Sequence, residues 1–381
     1  MRTFLKILKF VLIFALAVSV SFVLGLTIGV LVKGGDVSFG VILSKIKGLS
    51  WEEVIGVPLV SVLSMLVGGA LQIILHELGH LIGGLLSGYR FLSFQAMGIV
   101  LVNDGGKLRV KRFNMDGALG QCLMTPPDVP SDKMPVVVYN AGGVVMNVIA
   151  TAICVSIILC AKGLSPFAYI FFGVTALIGL YFIIVNGVPM CISGLPNDGY
   201  NMLKLRHNEK SREAFASVLR LCVLLSEGVR PRDIPLSIFQ NPEEVDFSQP
   251  IQVNLLLGYA STLMDMGRYD ESERIFLEII EREKKIKIFV LESKCELSCL
   301  LMMRGETDEA SSLIDEKELK MVKSMSGSMS SKQRYLFFRA LHCEEDRKKA
   351  EEIYNTVDSR RNNYLIKGEV DMDLEMMRAQ L

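Results

Sequence analysis

From Met134 to Asn197 the chain carries one charged side chain, Lys162. A run of that kind leaves few folds open. Where water is excluded, every backbone N–H and C=O must find its partner inside the segment, so a long uncharged apolar run crosses a bilayer as an α-helix. The interruption at Lys162 to Pro166 divides the run into two spans, 134–161 and 166–189. Two further stretches precede them. One is 10–32, behind Arg2, Lys6 and Lys9; the other begins at Val54 and reaches Tyr89, with Glu77 its only residue certain to be charged. At about 1.5 Å per residue each is long enough for about 30 Å of hydrocarbon. The first run is too long, and its Ala15-Leu16-Ala17 too early, for a cleaved signal peptide. About four spans are expected, with both termini in the cytoplasm. The basic residues Arg90, Lys107, Arg109, Lys111 and Arg112, and later Lys204 and Arg206, then fall on the cytoplasmic side of a multi-pass protein of the cell membrane.

Half of the 381 residues are apolar and 22% are charged, at a formal net charge of zero. That is too apolar for a soluble chain and too charged for one embedded throughout, so a membrane part and a soluble part are expected. A neutral balance gives no electrostatic footprint for nucleic acid. The eight cysteines include no Cys-x-x-Cys pair, which fits reduced thiols better than a disulfide framework or a zinc knuckle.

Between the spans, Ile99-Val100-Leu101-Val102 and Leu108 to Phe113 flank Asn103-Asp104-Gly105-Gly106, the pattern of a β-hairpin. It reads either as an edge for an extended peptide beside the membrane or as a connecting loop with a solvated basic face. From about Tyr200 the chain reads as soluble. A helix over 201–225 ends near Gly228, and a Pro-rich linker follows (Pro231, Pro235, Pro242, Pro250). Met266-Gly267-Arg268, Arg304-Gly305-Glu306 and His342-Cys343-Glu344 then recur at a spacing of 38 residues, each ahead of a helical pattern. This resembles the tetratricopeptide repeat, whose period is about 34. The resemblance implies a protein partner, though such an array can also merely cap and stabilise. The expected fold is mainly α: a polytopic α-helical membrane domain with a small membrane-associated β-hairpin, plus a soluble α-helical repeat domain. Its divisions are an anchor and external loop over 1–53, a core over 54–205, a helix and linker over 206–250, and repeats over 251–381.

The chemistry is concentrated in His76-Glu77-Leu78-Gly79-His80. A helix turns about 100° per residue, so His76 and His80 share a face and can offer two imidazole nitrogens to one zinc ion. Glu77 lies beside them, placed to take a proton from a metal-bound water. Only four histidines occur in the chain, and these two flank a glutamate at membrane depth, where an ionisable side chain costs about 2.5–3.5 kcal/mol. The plainer alternative is a pair of core histidines with a snorkelling glutamate.

A catalytic zinc site needs a third protein ligand. Three Asp-Gly pairs compete for the role. Asp104-Gly105 is explained by the hairpin turn, and Asp116-Gly117 looks like loop chemistry. Asp198-Gly199 follows a long uncharged segment broken by Pro189 and Pro196, which can fold back only where it lines a polar or protein-buried cavity. Asp198 is therefore the expected ligand, with capping of the following helix as its alternative use.

With His76-Glu77-Leu78-Gly79-His80 in a span, and Asn186-Gly187-Val188-Pro189 leading to Asp198-Gly199 two spans later, residues 54–205 resemble the site-2 protease family of intramembrane zinc metalloproteases. The resemblance implies His76, His80 and Asp198 as zinc ligands, Glu77 as the catalytic base and Asn186 as a substrate contact. It also implies a membrane-embedded protein or peptide as substrate. Asn147, loosely in register with the asparagine that follows the family's Ala-Gly-Pro element, is a second substrate candidate. The chain departs from the pattern in the longer gap between Asn186 and Asp198, in Asn197 where leucine is usual, and in Ala141-Gly142-Gly143 where the family has Ala-Gly-Pro. Two rivals remain. One is a catalytically silent, membrane-anchored scaffold, which would have no need of Glu77. The other is a metal transporter, which would spread ionisable residues over more of its spans.

Overall fold

The computed structural model describes residues 48, 50, 55–104, 107–112, 120–192, 195–364 and 366–381. The span expected over 10–32, most of the loop after it, and Asp116-Gly117 lie outside these residues. The other three expected spans are helices: α1 (Val57–Leu86), α2 (Val136–Cys160) and α3 (Pro166–Gly187). Each is long and apolar enough to cross a membrane. Proline opens α3 at a position whose N–H would have no partner in any case.

The chain divides into two compact units, one within Met1–Gln72 and Asn147–Ile183, the other in Ile73–Met146 and Ile184–Leu381. In the first, polar side chains join the helices. Gln72 donates from Nε2 to the Thr175 carbonyl at 3.2 Å, and Asn147 donates from Nδ2 to the Gln72 carbonyl at 2.9 Å and to its Oε1 at 2.7 Å. Bonds of this kind between spans contribute about 0.6 kcal/mol each. Asn147, expected against substrate, is thus engaged in a helix–helix contact.

In the second unit the segment expected to hold one hairpin forms a four-stranded antiparallel sheet in the order β3-β2-β1-β4. Its strands are β1 (Arg90–Ala96), β2 (Ile99–Asp104), β3 (Lys107–Arg112) and β4 (Gly120–Thr125). The expected hairpin is β2–β3, with Leu101 facing Val110. The two additional strands escape a period-two reading for a local reason. A register shift between Phe91 and Ser93 breaks the alternation of β1, and Cys122, Leu123 and Met124 are all buried in β4. A two-residue hairpin, β5 (Cys191–Ile192) with β6 (Leu195–Pro196), precedes α4 (Asp198–His207). The single helix expected over 201–225 is two, because Asn208 ends α4 and caps α5 (Glu209–Glu227), accepting the Ser211 N–H at 2.9 Å. Gly228, at φ 94°, closes α5 in the left-handed conformation that glycine tolerates best.

Helix α5 is no simple connector. Its Phe215, Leu219 and Val223 pack with Tyr89, Met124 and Tyr139, joining the sheet and α2 in one core. The proline-rich stretch expected as a linker is also built in. It forms three 3-10 turns, Pro231–Asp233, Leu236–Ile238 and Pro242–Glu244, with Ile234 and Phe239 buried alongside Leu221 and Leu255. Proline next to each turn start fixes φ while leaving no donor to satisfy.

The remaining helices are α6 (Pro250–Asp265), α7 (Tyr269–Arg282), α8 (Lys287–Met303), α9 (Thr307–Ser312), α10 (Glu316–Met325), α11 (Ser330–Phe338), α12 (Arg347–Ser359) and α13 (Lys367–Arg378). They share a core that includes Leu263, Phe276, Val322, Phe337 and Met377. Gly267 and Gly305, at φ 76° and 83°, turn the first two repeated motifs. The third has no glycine there: Glu345 takes φ 52°, and the preceding Arg339–Cys343 widens to a π-turn. α13 returns to the beginning of this array, where Arg230 grips Asp265 with a forked bond and also pairs with Glu375. Between α8, α11 and α13 lies a buried charge cluster in which Arg334 pairs with Glu296 and Asp373, and Lys332 with Glu292.

Candidate metal centre

The four-residue spacing on α1 sets His76 and His80 on one face with Glu77 beside them, each only 8% exposed. Helix α2 comes in against this face. A Cβ added to Gly79 or to Gly142 would run into the carbonyl of the other, so the two backbones are in contact. The next residue, Gly143, looks onto the imidazoles. A Cβ there would lie 2.6 Å from Cε1 of His76 and 2.7 Å from both Nε2 atoms, so the space beside the rings exists because this residue has no side chain.

His80 Nδ1 is 2.9 Å from the Tyr139 carbonyl. A carbonyl only accepts, which assigns the proton to Nδ1 and leaves the lone pair of Nε2 facing inward. The Nε2 atoms of His76 and His80 stand 3.1 Å apart with their rings at 83°. The Oδ2 of Asp198 lies 3.1 Å from the first and 3.3 Å from the second. Asp198 is free to do this because the neighbouring residue caps the helix: Asn197 Oδ1 accepts the Tyr200 N–H at 2.8 Å.

Glu77 sits where β4 begins. It takes a backbone hydrogen bond from Cys122, and a Cβ on Gly120 would come within 2.7 Å of its Oε1. The Tyr139 hydroxyl donates to the Cys122 carbonyl at 2.8 Å, and its ring stacks on Tyr89 at 4.8 Å. Tyr139 therefore holds His80 through its backbone and β4 through its side chain. Burial, with Glu77 nearby, pushes the Cys122 thiol up to about 12, away from the thiolate form.

Of the residues picked out in the sequence, His76, Glu77, His80 and Asp198 come together. Among the described residues, His76, His80 and Asp198 form the group able to hold a metal ion. Asn186 is close by through its backbone, its carbonyl lying under Gly199, whereas Asn147 belongs to the other unit. Tyr139, Gly143 and Asn197 were not legible as site residues. The available signals were a hydroxyl-bearing ring in an apolar span, a second glycine after Gly142, and an amide directly before the candidate ligand. Compared with known proteins, the chain matches no family model, no curated protein and no solved structure.

Proposed function

We propose that this protein is a zinc-dependent intramembrane endopeptidase that hydrolyses peptide bonds in or near the membrane segments of proteins or peptide precursors. The observation that carries the reading is the convergence of the two Nε2 atoms and Asp198 Oδ2, buried and next to a carboxylate that takes no part in the triangle. Tetrahedral ligands at about 2.0–2.1 Å from zinc stand about 3.3 Å apart, and these three atoms are separated by 3.1–3.3 Å. Two imidazoles and one carboxylate suit zinc better than calcium or magnesium, which favour oxygen shells.

A zinc ion held there supplies a Lewis acid that acidifies water toward neutral pH and polarises a carbonyl. The chain's own groups do the rest. Glu77, kept on station by the Cys122 N–H, removes the proton from water and passes it to the departing amine. His80 is held in one tautomer by Tyr139. A helical substrate must unwind before its amide can be cut. The strand at hand for the unwound segment is β4, which starts beside Glu77, rather than the β2–β3 hairpin. On this reading the protein is a multi-pass membrane protein with both termini in the cytoplasm, and the helical array recruits or orients protein partners there.

The test is Glu77→Gln in purified protein and in cells. Zinc content should match the parent while a membrane precursor accumulates in the proteome. Undiminished processing in the variant removes Glu77 from the chemistry. Absence of any accumulating precursor favours a silent membrane scaffold instead.

A further inference from the structure

The amide of Asn197 makes every hydrogen bond of which it is capable. An asparagine side chain has two N–H donors and two acceptor positions. Nδ2 donates to the carbonyls of Val185 at 2.6 Å and Val188 at 2.7 Å, while Oδ1 accepts from the backbone N–H of Met190 at 3.1 Å and Tyr200 at 2.8 Å. The backbone joins in, since the Asn197 N–H donates to the Met190 carbonyl at 3.1 Å. Val185 lies in the last turn of α3, where carbonyls have no partner within the helix. Left unpaired in an apolar setting, such a group costs about 1–3 kcal/mol. One side chain thus ends α3, shapes the β5–β6 turn and starts α4.

The residue on the other side of Asp198 is seated on the same turn. A Cβ on Gly199 would collide with the Gly187 carbonyl and lie 3.1 Å from that of Asn186. Asp198 is therefore held between two neighbours that both rest on the end of α3.

We infer that Asn197 is the positioning residue for the third ligand: by binding the end of α3 it sets where Asp198 meets His76 and His80. The inference rests on the metal-site reading above and extends it to a residue that would coordinate nothing. Leucine at this position could pack but would leave four backbone groups without partners. A helix cap alone would need only the Tyr200 bond, and serine supplies that bond equally well.

Asn197→Ser keeps the cap and loses both donations, to Val185 in the last turn of α3 and to Val188 just past it. In full-length protein purified in lipid nanodiscs, cobalt affinity is measured by chelator competition and coordination by the visible absorption of the bound cobalt. Hydrogen exchange over α5 to α13 reports whether the fold persists. The variant should bind cobalt about 10–100-fold more weakly, the usual cost of losing a group that orients a ligand, with an altered spectrum and unchanged exchange. Asn197→Asp, which keeps both acceptors and turns both donations into repulsions, should move affinity and spectrum in the same direction. Parental affinity and spectrum in both variants would overturn the inference and leave the metal site standing. If the parent takes up no cobalt, the metal-site reading falls and takes the inference with it.

Discussion

The carbonyl of Tyr139 receives the Nδ1 proton of His80 at 2.9 Å, and the hydroxyl of the same tyrosine reaches the Cys122 carbonyl at 2.8 Å. One residue of α2 thereby ties a candidate ligand on α1 to the strand that flanks Glu77. The two links differ in chemistry, because only the second runs through the side chain.

Tyr139→Phe separates them. The carbonyl and the stack on Tyr89 remain, so zinc content should stay at the parental level. Loss of the hydroxyl leaves the buried Cys122 carbonyl short of a partner, at about 1–3 kcal/mol, and loosens β4. Cleavage of a membrane substrate should fall about tenfold on the proposed mechanism, given that about 1.4 kcal/mol corresponds to a factor of ten. Zinc analysis alongside a cleavage assay checks both halves.

The contact between Gly79 and Gly142 is backbone against backbone and has no flexible atom to yield. Gly79→Ala should therefore separate α1 from α2 and reduce zinc content severely. Gly69→Ala is the matched control on the same helix, because a Cβ there meets nothing within 4 Å. It should be neutral or slightly stabilising, by about 1 kcal/mol at most. Metal analysis and thermal stability of the two proteins give the comparison.

On the proposed function, removing the metal should abolish cleavage, and zinc should restore it. Asp198→Ala should prevent the restoration by lowering affinity rather than by disordering the helix, because Asn197 still caps α4. Zinc titration of the stripped proteins, with circular dichroism to follow helix content, distinguishes lost coordination from lost structure.

The contribution of Glu369 to the stability of the helical array should fall as pH rises from about 4.5 to 8. Burial, reinforced by Asp373, Glu296 and Glu292, pushes the Glu369 carboxyl up to about 8 from its ordinary 4.5. In that window the folded array holds a proton that the unfolded chain releases. The stabilisation is complete below 4.5 and is lost as pH passes 8, with a slope for one proton of at most about 1.4 kcal/mol per pH unit. Glu369→Gln should flatten the dependence. Hydrogen exchange in α13, corrected for intrinsic rates, is the measurement.

Much of this molecule is local and was readable without coordinates. Long apolar runs become α1, α2 and α3 because a backbone kept from water must bond within itself, and His76, Glu77 and His80 are arranged by helical periodicity alone. Tertiary structure decided what depends on segments meeting. Periodicity could not say that Asn197 would take the helix cap and leave Asp198 to the histidines, since both residue types cap well. Nor could it place β4 beside Glu77, because consecutive burial in that strand erases the alternating signal. Tyr139 and Gly143 acquire their roles only where α2 crosses α1. Packing at a crossing is a property of two surfaces, and neither sequence segment contains the other.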